Sequence, residues 1–362
     1  MPQKVPVVDS NQIPLMPTSA TRAAKWVRSG KATPFWKKGI FCVRLNQEPS
    51  ARNYQGIACG IDPGSKMEGF TVKSAKHQYL NVQSKAIDWV KAHVKTRREM
   101  RRSRRYRKTP CRQPRWNNRR TSIRRAKHVG TLQRSANKIR LAPSTKARWQ
   151  WKLRIVIWLS KIYPITVFVV EDIKAKSWGG KWGKTFSPLQ VGKDWFYFQL
   201  EKIAPVELLQ GYETAELREK LGLKKSKNKM AEVFSAHCVD SFTLASSAVG
   251  GNERPDNTNL LIVTPLRFHR RQLHRLEHAP GHIRSRYGGT MSAGFKRGSI
   301  VRHLKWGLSY VGGEMVKPTK KEPDRKVVSL HSIETGKRLT QSANPKDIKF
   351  LTYNTWRTKW TG

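Results

Sequence analysis

The stretch IACGIDPGSKMEGF, residues 57–70, decides how the chain is read. Its first half is apolar and ends on an acid, Asp62. Pro63 and Gly64 turn the chain, and a second apolar run starts at Phe70. Short apolar runs on either side of such a turn read as neighbouring strands. Asp favours the position before a turn because its side chain bonds the local backbone. Asp62 therefore has two readings, a turn-former or one carboxylate of a metal site.

Working outward, GIACGID, GFTVKSA and QYLNVQSKAI predict an antiparallel meander over residues 56–90. KARWQWKLRIVIWLSKIY, 146–163, fits a helix ended by Pro164. ITVFVVEDI, 165–173, is a buried strand that runs into Glu171 and Asp172. WFYFQLEKIA (195–204) and ETAELREKLGL predict helices; KKSKNK is a basic linker, and MAEVFSAHCVDSFTLASSAVG (230–250) is a helix of small and apolar residues. In an α/β sheet of this order the first and fourth strands lie side by side, so Asp62 and Glu171 face each other. His237 and Asp240 are three apart and share a helical face. Alone, each has a bland reading: a solvated strand end for Glu171 and Asp172, a lysine pair or cap for Asp240, core packing for His237. Together, three carboxylates in one place repel, and divalent cations are the usual remedy. Hard oxygen ligands suit Mg²⁺, with Mn²⁺ able to substitute. Two such ions stabilise the attacking and leaving oxygens of a phosphodiester. His237 then orients or deprotonates the attacking water, or joins the metal shell.

Charge narrows the partner. The 362 residues carry 72 Lys and Arg against 24 Asp and Glu, a formal charge of +48. Self-repulsion of that size calls for a polyanion, and nucleic acid is the natural one. Nothing reads as a membrane span, a basic amphipathic membrane helix or a signal-peptide core. The four cysteines are scattered with no C-x-x-C pair, as in a reduced cytoplasmic protein. Between Arg97 and Arg125 lie 13 arginines and one lysine against one glutamate. A solvated charged face mixes signs; this run does not. Arg97, Arg98, Arg101, Arg102, Arg104, Arg105 and Arg107 cover most of a helix, and Arg119, Arg120, Arg124 and Arg125 follow beyond Pro110 and Pro114. Guanidinium groups fork onto phosphate, so these are the candidate nucleic-acid contacts. Trp195 reads as core, while Trp178 and Trp182, in a Gly- and Lys-rich loop, read as core or as stacking platforms for bases. His269, His274, His278 and His282 lack a zinc-like ligand pattern and read as backbone contacts.

The flanks are separate modules. Residues 1–50 hold a strand, VPVVD, an extended PLMP, and a helix, ATRAAKWVRSG, capped by Ser19. GIFCVRL, 39–45, is another strand. Fifty residues bury little core alone, so this module leans on the rest or on a ligand. From about residue 252 the chain turns basic and His-rich, then gives short strands with tight turns, a small barrel-like β module.

These motifs resemble a known family. GIDPGSKMEGFTV, VFVVEDI and AHCVDSFTLA are similar to the three motifs of the RuvC-like branch of the ribonuclease H fold. The Arg-rich segment sits where RNA-guided nucleases of this branch place a bridge helix. VPVVDSNQIPLMPTSATRAAKWVRSGKA resembles the PLMP domain of the IscB and IsrB family, transposon-encoded relatives of the CRISPR type II effector. IscB carries an HNH nuclease domain between the second and third motifs. Here only 65 residues separate Glu171 from His237, with no histidine or cysteine among them, so the resemblance is to the HNH-lacking IsrB branch. It implies an α/β fold of five parts: PLMP domain 1–50, first RuvC part 51–95, bridge helix and basic segment 96–125, remaining RuvC parts 126–251, and a β module 252–362 that reads a short motif beside the target. It implies a Mg²⁺-dependent nickase of the non-target DNA strand, with Asp62, Glu171 and Asp240 as catalytic metal ligands and His237 assisting. Its partners would be a guide RNA and a double-stranded DNA target. The protein would be a monomeric ribonucleoprotein in a prokaryotic cytoplasm, at the nucleoid when on DNA. Two rivals stand beside this: a non-catalytic protein that binds structured RNA, and a junction resolvase, against which the flanking modules argue.

Overall fold

A computed structural model describes residues 4–90, 143–172, 189, 192–266, 291–319, 322–333, 335–353 and 356–361, and positions 92, 95, 96, 98, 99 and 102 of a helical stretch. The chain divides into two compact units, Met1–Ile262 with Lys359–Gly362, and Val263–Thr358.

The first unit opens with β1 (Lys4–Val8), β2 (Pro14–Ser19), α1 (Ala20–Arg28), β3 (Ala32–Lys37) and β4 (Ile40–Leu45). The sheet order is β2-β1-β4-β3, with β1 and β4 parallel. Ser19 Oγ accepts from the Arg22 N–H at 3.3 Å, the cap that the sequence predicts. Val5, Val7, Leu15, Ala23 and Val43 form a small core. Strand β3 is not among the predicted strands. Its Pro34 argues against a central strand, but β3 is an edge, where a missing N–H costs no ladder bond.

The predicted meander follows as β5 (Ile57–Asp62), β6 (Met67–Ser74) and β7 (Gln78–Lys85), then α2 (Pro143–Ser160), β8 (Val167–Asp172), α3 (Lys193–Glu201), β9 (Val206–Gln210), α4 (Gly211–Lys220), α5 (Phe234–Val249) and β10 (Leu260–Pro265). β5 to β7 are antiparallel, and β8 pairs parallel with β5 and with β9. The sheet order is β18-β10-β7-β6-β5-β8-β9, where β18 is Trp356–Thr361. The strands β5 and β6 are buried at every residue, as a sheet covered on both faces requires. One cover is α5. A Cβ on Gly60 would meet the Ser241 carbonyl oxygen at 1.9 Å, and one on Gly69 the His237 carbonyl oxygen at 2.5 Å. Gly60 and Gly69, two of the three glycines of the opening motif, let a helix lie directly on the strands. The other cover is α2, which buries Trp149, Trp151, Ile155, Val156, Trp158 and Leu159. A helix apolar on most sides is a buried one. Its Lys152 pairs with Glu68 of β6, both almost fully buried.

Neither β9 nor β10 is predicted, since each is a short run wedged beside helix or loop signals. β10 belongs to the central sheet, so the first unit extends ten residues past the anticipated break at 252. Trp195 is half-buried under Lys146 instead of in the core, which α3 fills with Phe196, Tyr197 and Leu200.

The second unit contains β11 (Met291–Ser292), β12 (Phe295–Lys296), β13 (Ser299–His303), β14 (Gly307–Val316), β15 (Lys326–Ser332), β16 (Arg338–Ala343) and β17 (Ile348–Tyr353). Five of them form an antiparallel sheet, β16-β15-β14-β13-β17, over a core of Val301, Val311, Val328, Leu330, Ala343 and Ile348. Among the described residues this order has two edges, where the sequence anticipates a barrel-like module. No described helix is long and apolar enough to cross a membrane.

Candidate functional site

The turn after Asp62 is held by its backbone and by Lys152, whose Nζ donates to the Gly64 carbonyl oxygen at 3.3 Å. The Gly64 N–H donates to the Asp62 carbonyl oxygen at 3.1 Å, and a Cβ on Gly64 would strike the Met67 carbonyl oxygen at 1.5 Å. Glycine closes the turn, so the Asp62 carboxylate is not needed there. It goes instead to His237 of α5, whose Nδ1 lies 2.9 Å from Asp62 Oδ2. The turn-former reading of the side chain fails on this contact.

The parallel ladder pairs Gly60 with Val169 and Ile61 with Val170. One step further sets Asp62 beside Glu171. Opposite residues in register share a face and successive residues alternate, so Glu171 joins Asp62 on the α5 side while Asp172 turns to the other. Asp172 there accepts from Lys193 and from the Tyr197 hydroxyl (3.0 Å) of α3, and from Gln210 Nε2 (3.2 Å). Of two adjacent acids, one enters the cluster and the other anchors a helix.

Asp240, one turn along α5 from His237, is buried and held by two cations. Arg218 of α4 donates to Oδ1 at 2.6 Å, and Lys225 from the linker pairs with Oδ2. The structure thus brings Asp62, Glu171, His237 and Asp240 together from three distant segments. It adds Arg218 and Lys225, which the sequence reading passes over as a helix end and a basic linker. The missed signal is the charge balance: two buried carboxylates and a partly buried third need counter-charge close by.

The electrostatics follow from that crowding. Burial pushes the Asp62 carboxyl up, but the His237 hydrogen bond and the charges of His237 and Lys225 outweigh it and hold it low. For Glu171 the Lys225 charge also lowers, but it is outweighed. Burial, then the Asp62 charge, a hydrogen bond with Asp62 and the Asp240 charge push it up to about 8. Burial lowers His237, and Asp62 more than restores it, so the imidazole is held above its ordinary value. Its Nε2 faces the Lys229 carbonyl oxygen at 2.9 Å. A carbonyl only accepts, so Nε2 carries a proton, and Nδ1 donates to the Asp62 carboxylate when the ring is an imidazolium. Both ring nitrogens are then occupied, which is an orienting arrangement. Burial lowers Lys225, but Asp240, Asp62 and Glu171 together raise it. One ammonium group feels all three carboxylates.

Among the described residues no three His, Cys, Asp or Glu side chains stand in a ready metal-ligating array. The donor set nevertheless suits a hard divalent cation: three carboxylates lie within electrostatic reach of the Lys225 ammonium, which pairs with Asp240 beside Arg218.

Of the predicted nucleic-acid contacts, Arg98 and Arg102 are helical and exposed. Arg97, Arg101, Arg104, Arg105, Arg107, Arg119, Arg120, Arg124 and Arg125 lie outside the described residues, as do Trp178, Trp182, His269, His274, His278 and His282.

Residues 5–177 match the model of the family described as RRXRR protein. The match spans the first module, the strand bearing Asp62 and the strand bearing Glu171, and it stops before His237 and Asp240. No curated protein matches the chain.

Proposed function

We propose that the chain is a RuvC-like, RNA-guided DNA endonuclease of the IsrB kind, which nicks the non-target strand of a double-stranded target. What supports the reading is that Asp62, Glu171 and Asp240, from three distant segments, lie within electrostatic reach of one another in a chain with a formal charge of +48. The RRXRR match supports it, since that family is found in IscB and OMEGA-type nucleases. Asp62, Glu171 and Asp240 are the residues that would hold Mg²⁺, or Mn²⁺ in its place. When bound, such ions supply Lewis-acid stabilisation of the attacking and leaving oxygens of a phosphodiester.

The chain's own groups have distinct tasks in this reading. His237, fixed at both nitrogens, holds the Asp62 carboxylate in one orientation and keeps it ionised. Glu171, raised to about 8, carries a proton at neutral pH in the metal-free protein. Lys225 neutralises the cluster in the metal-free protein and must yield its place on Asp240, while Arg218 keeps that carboxylate anchored to α4. The arginines of the 97–125 segment bind phosphate, and base pairing with the guide reads the target sequence.

A second reading is favoured by one observation: both oxygens of Asp240 are already paired with cations. In that reading the acids are structural and the protein only binds a structured RNA. One experiment separates the two. The protein is purified with the non-coding RNA transcribed beside its gene and mixed with Mg²⁺ and supercoiled plasmid bearing the matching target. The nickase reading expects open-circular product, abolished in Asp62→Ala with RNA and DNA binding retained. Binding without any cut supports the second reading, and linear product would reveal another cutting centre.

A further inference from the structure

A cavity of about 830 Å³ lies within the first unit, between α1, the β3–β4 hairpin and the chain end. Its walls include Val27, Trp36, Phe41 and Trp360, and its polar groups include Arg28 and Asn259. None of its lining side chains is acidic. The size suits one planar ring system with its attached sugar, since small-ligand sites span roughly 300–1,000 Å³.

Three features give the cavity a chemistry. Trp36 is 69 % exposed and touches Phe41 edge-on, with ring centroids 5.6 Å apart and planes at 67°. A large aromatic left open to water is a platform awaiting a partner. Trp360 is fixed by its Nε1–H, which donates to the Gly39 carbonyl oxygen at 3.0 Å. A pinned ring offers a stacking face at little cost in entropy. Asn259 is held by its backbone: its N–H donates to Asn257 Oδ1 at 3.0 Å and its carbonyl accepts from Asn81 Nδ2 at 3.1 Å. Its carboxamide makes no hydrogen bond among the described residues, leaving a donor and an acceptor side by side. Arg28 stands exposed at the end of α1, a helix that also carries Arg22 and Lys25.

We propose that this cavity captures one unpaired nucleobase of a single-stranded nucleic acid, stacked on Trp36 or Trp360, with its edge on the Asn259 carboxamide and a flanking phosphate on Arg28. Aromatic faces take any base, and a carboxamide matches the paired donor and acceptor of a base edge. An uncharged apolar ligand would use neither Asn259 nor Arg28. The site rests on the reading that the chain's partner is nucleic acid, but not on cleavage.

The test uses the full chain with short oligonucleotides carrying one 4-thiouridine, as single-stranded RNA, as the deoxy analogue, and within an RNA duplex. Photo-crosslinked peptides are mapped and affinities measured by anisotropy. The expected result is crosslinking to residues of the cavity by the single strands. Trp36→Ala should lose about tenfold in single-strand affinity, as one lost base–aromatic stack predicts, with duplex affinity unchanged and Trp36→Phe restoring most of the loss. Because Trp36 is exposed, its replacement should leave the unfolding midpoint in place. RNA and DNA arms of equal strength assign the site to the base; a stronger RNA arm adds a 2′-hydroxyl contact. Single-strand binding with crosslinks elsewhere and no effect of Trp36→Ala overturns the pocket alone. No binding to any oligonucleotide overturns the nucleic-acid reading with it.

Discussion

The close approach of α5 to β5 makes the sharpest prediction. A Cβ on Gly60 would sit 1.9 Å from the Ser241 carbonyl oxygen and 2.7 Å from the Ala245 nitrogen, both backbone atoms of α5. Ordinary contact begins near 3.4 Å, so Gly60→Ala must lift α5 from the sheet by about 1.5 Å, the difference between those two distances. No side-chain rotamer can absorb that. Overpacking of this kind costs about 1–3 kcal/mol, and the lift also strains the 2.8 Å contact between the Thr71 and Ser241 hydroxyls. Because α5 carries His237 and Asp240, the same lift opens the cluster, and a misplacement of about 1 Å costs on the order of a hundredfold in rate. The control is Gly56→Ala, whose Cβ would find Val249 Cγ1 at 3.7 Å and Thr166 Oγ1 at 3.9 Å, ordinary contacts. Urea unfolding and plasmid nicking of both variants provide the assay. Gly60→Ala should lose stability and nearly all nicking, while Gly56→Ala stays within about 0.5 kcal/mol of the parent. If Gly60→Ala unfolds at the parental midpoint, α5 does not lie on β5 as described, and the argument for the cluster falls with it.

Other expectations follow from single contacts. Lys152→Met strands Glu68 in the core and should cost about 3–5 kcal/mol, as loss of one partner of a buried pair does; Lys152→Met combined with Glu68→Leu should regain most of it, and equal losses in the single and double variants would show that the pair is not the cause. Glu171 is raised from 4.5 to about 8, so between those values the native state binds more protons than the unfolded one, and its contribution to stability falls as pH rises through that window. In metal-free buffer the stability advantage of Glu171→Gln over the parent should therefore grow from pH 4.5 to 8, and a pH-independent difference would refute the crowding of the acids. Lys225→Met removes the shared counter-ion, so the metal-free variant should unfold at lower temperature and gain more from saturating Mg²⁺ than the parent does; equal gains would mean that Lys225 and the cation do not compete.

Much of this architecture is legible in residue order. The Pro63-Gly64 turn, the apolar runs on each side of it and the His237–Asp240 spacing give the meander, the crossover and the helix face. Ser19 gives the cap of α1. What escapes has a physical reason. β3 hides behind Pro34, which an edge strand tolerates. β10 hides because four apolar residues within a polar stretch do not distinguish a core strand from a loop anchor. Arg218 and Lys225 are hidden by composition: with 72 basic residues in the chain, one more lysine in KKSKNK carries no contrast. Only their nearness to Asp240 separates them from the surface charges around them.

The pair Glu171–Asp172 shows how far register controls chemistry. Side chains on a strand alternate with a period of two, so both acids cannot face α5. The β5–β8 ladder, set by Gly60 opposite Val169, gives Glu171 to the cluster and Asp172 to α3. A slip by one residue would exchange them. Asp172 would then crowd Asp62, and Lys193 and Tyr197 would face a glutamate one methylene too long for their contacts. The exchange is opposed by what lies on each face. Gly60 is the residue of β5 over which α5 can close, and moving Val169 off its partner would disturb that face along the whole strand. The catalytic geometry proposed here is thus held less by the acids, which repel one another, than by a glycine and a valine that carry no charge. That division of labour explains why the acids alone, read as letters, do not tell which of Glu171 and Asp172 shares a face with Asp62, while register does.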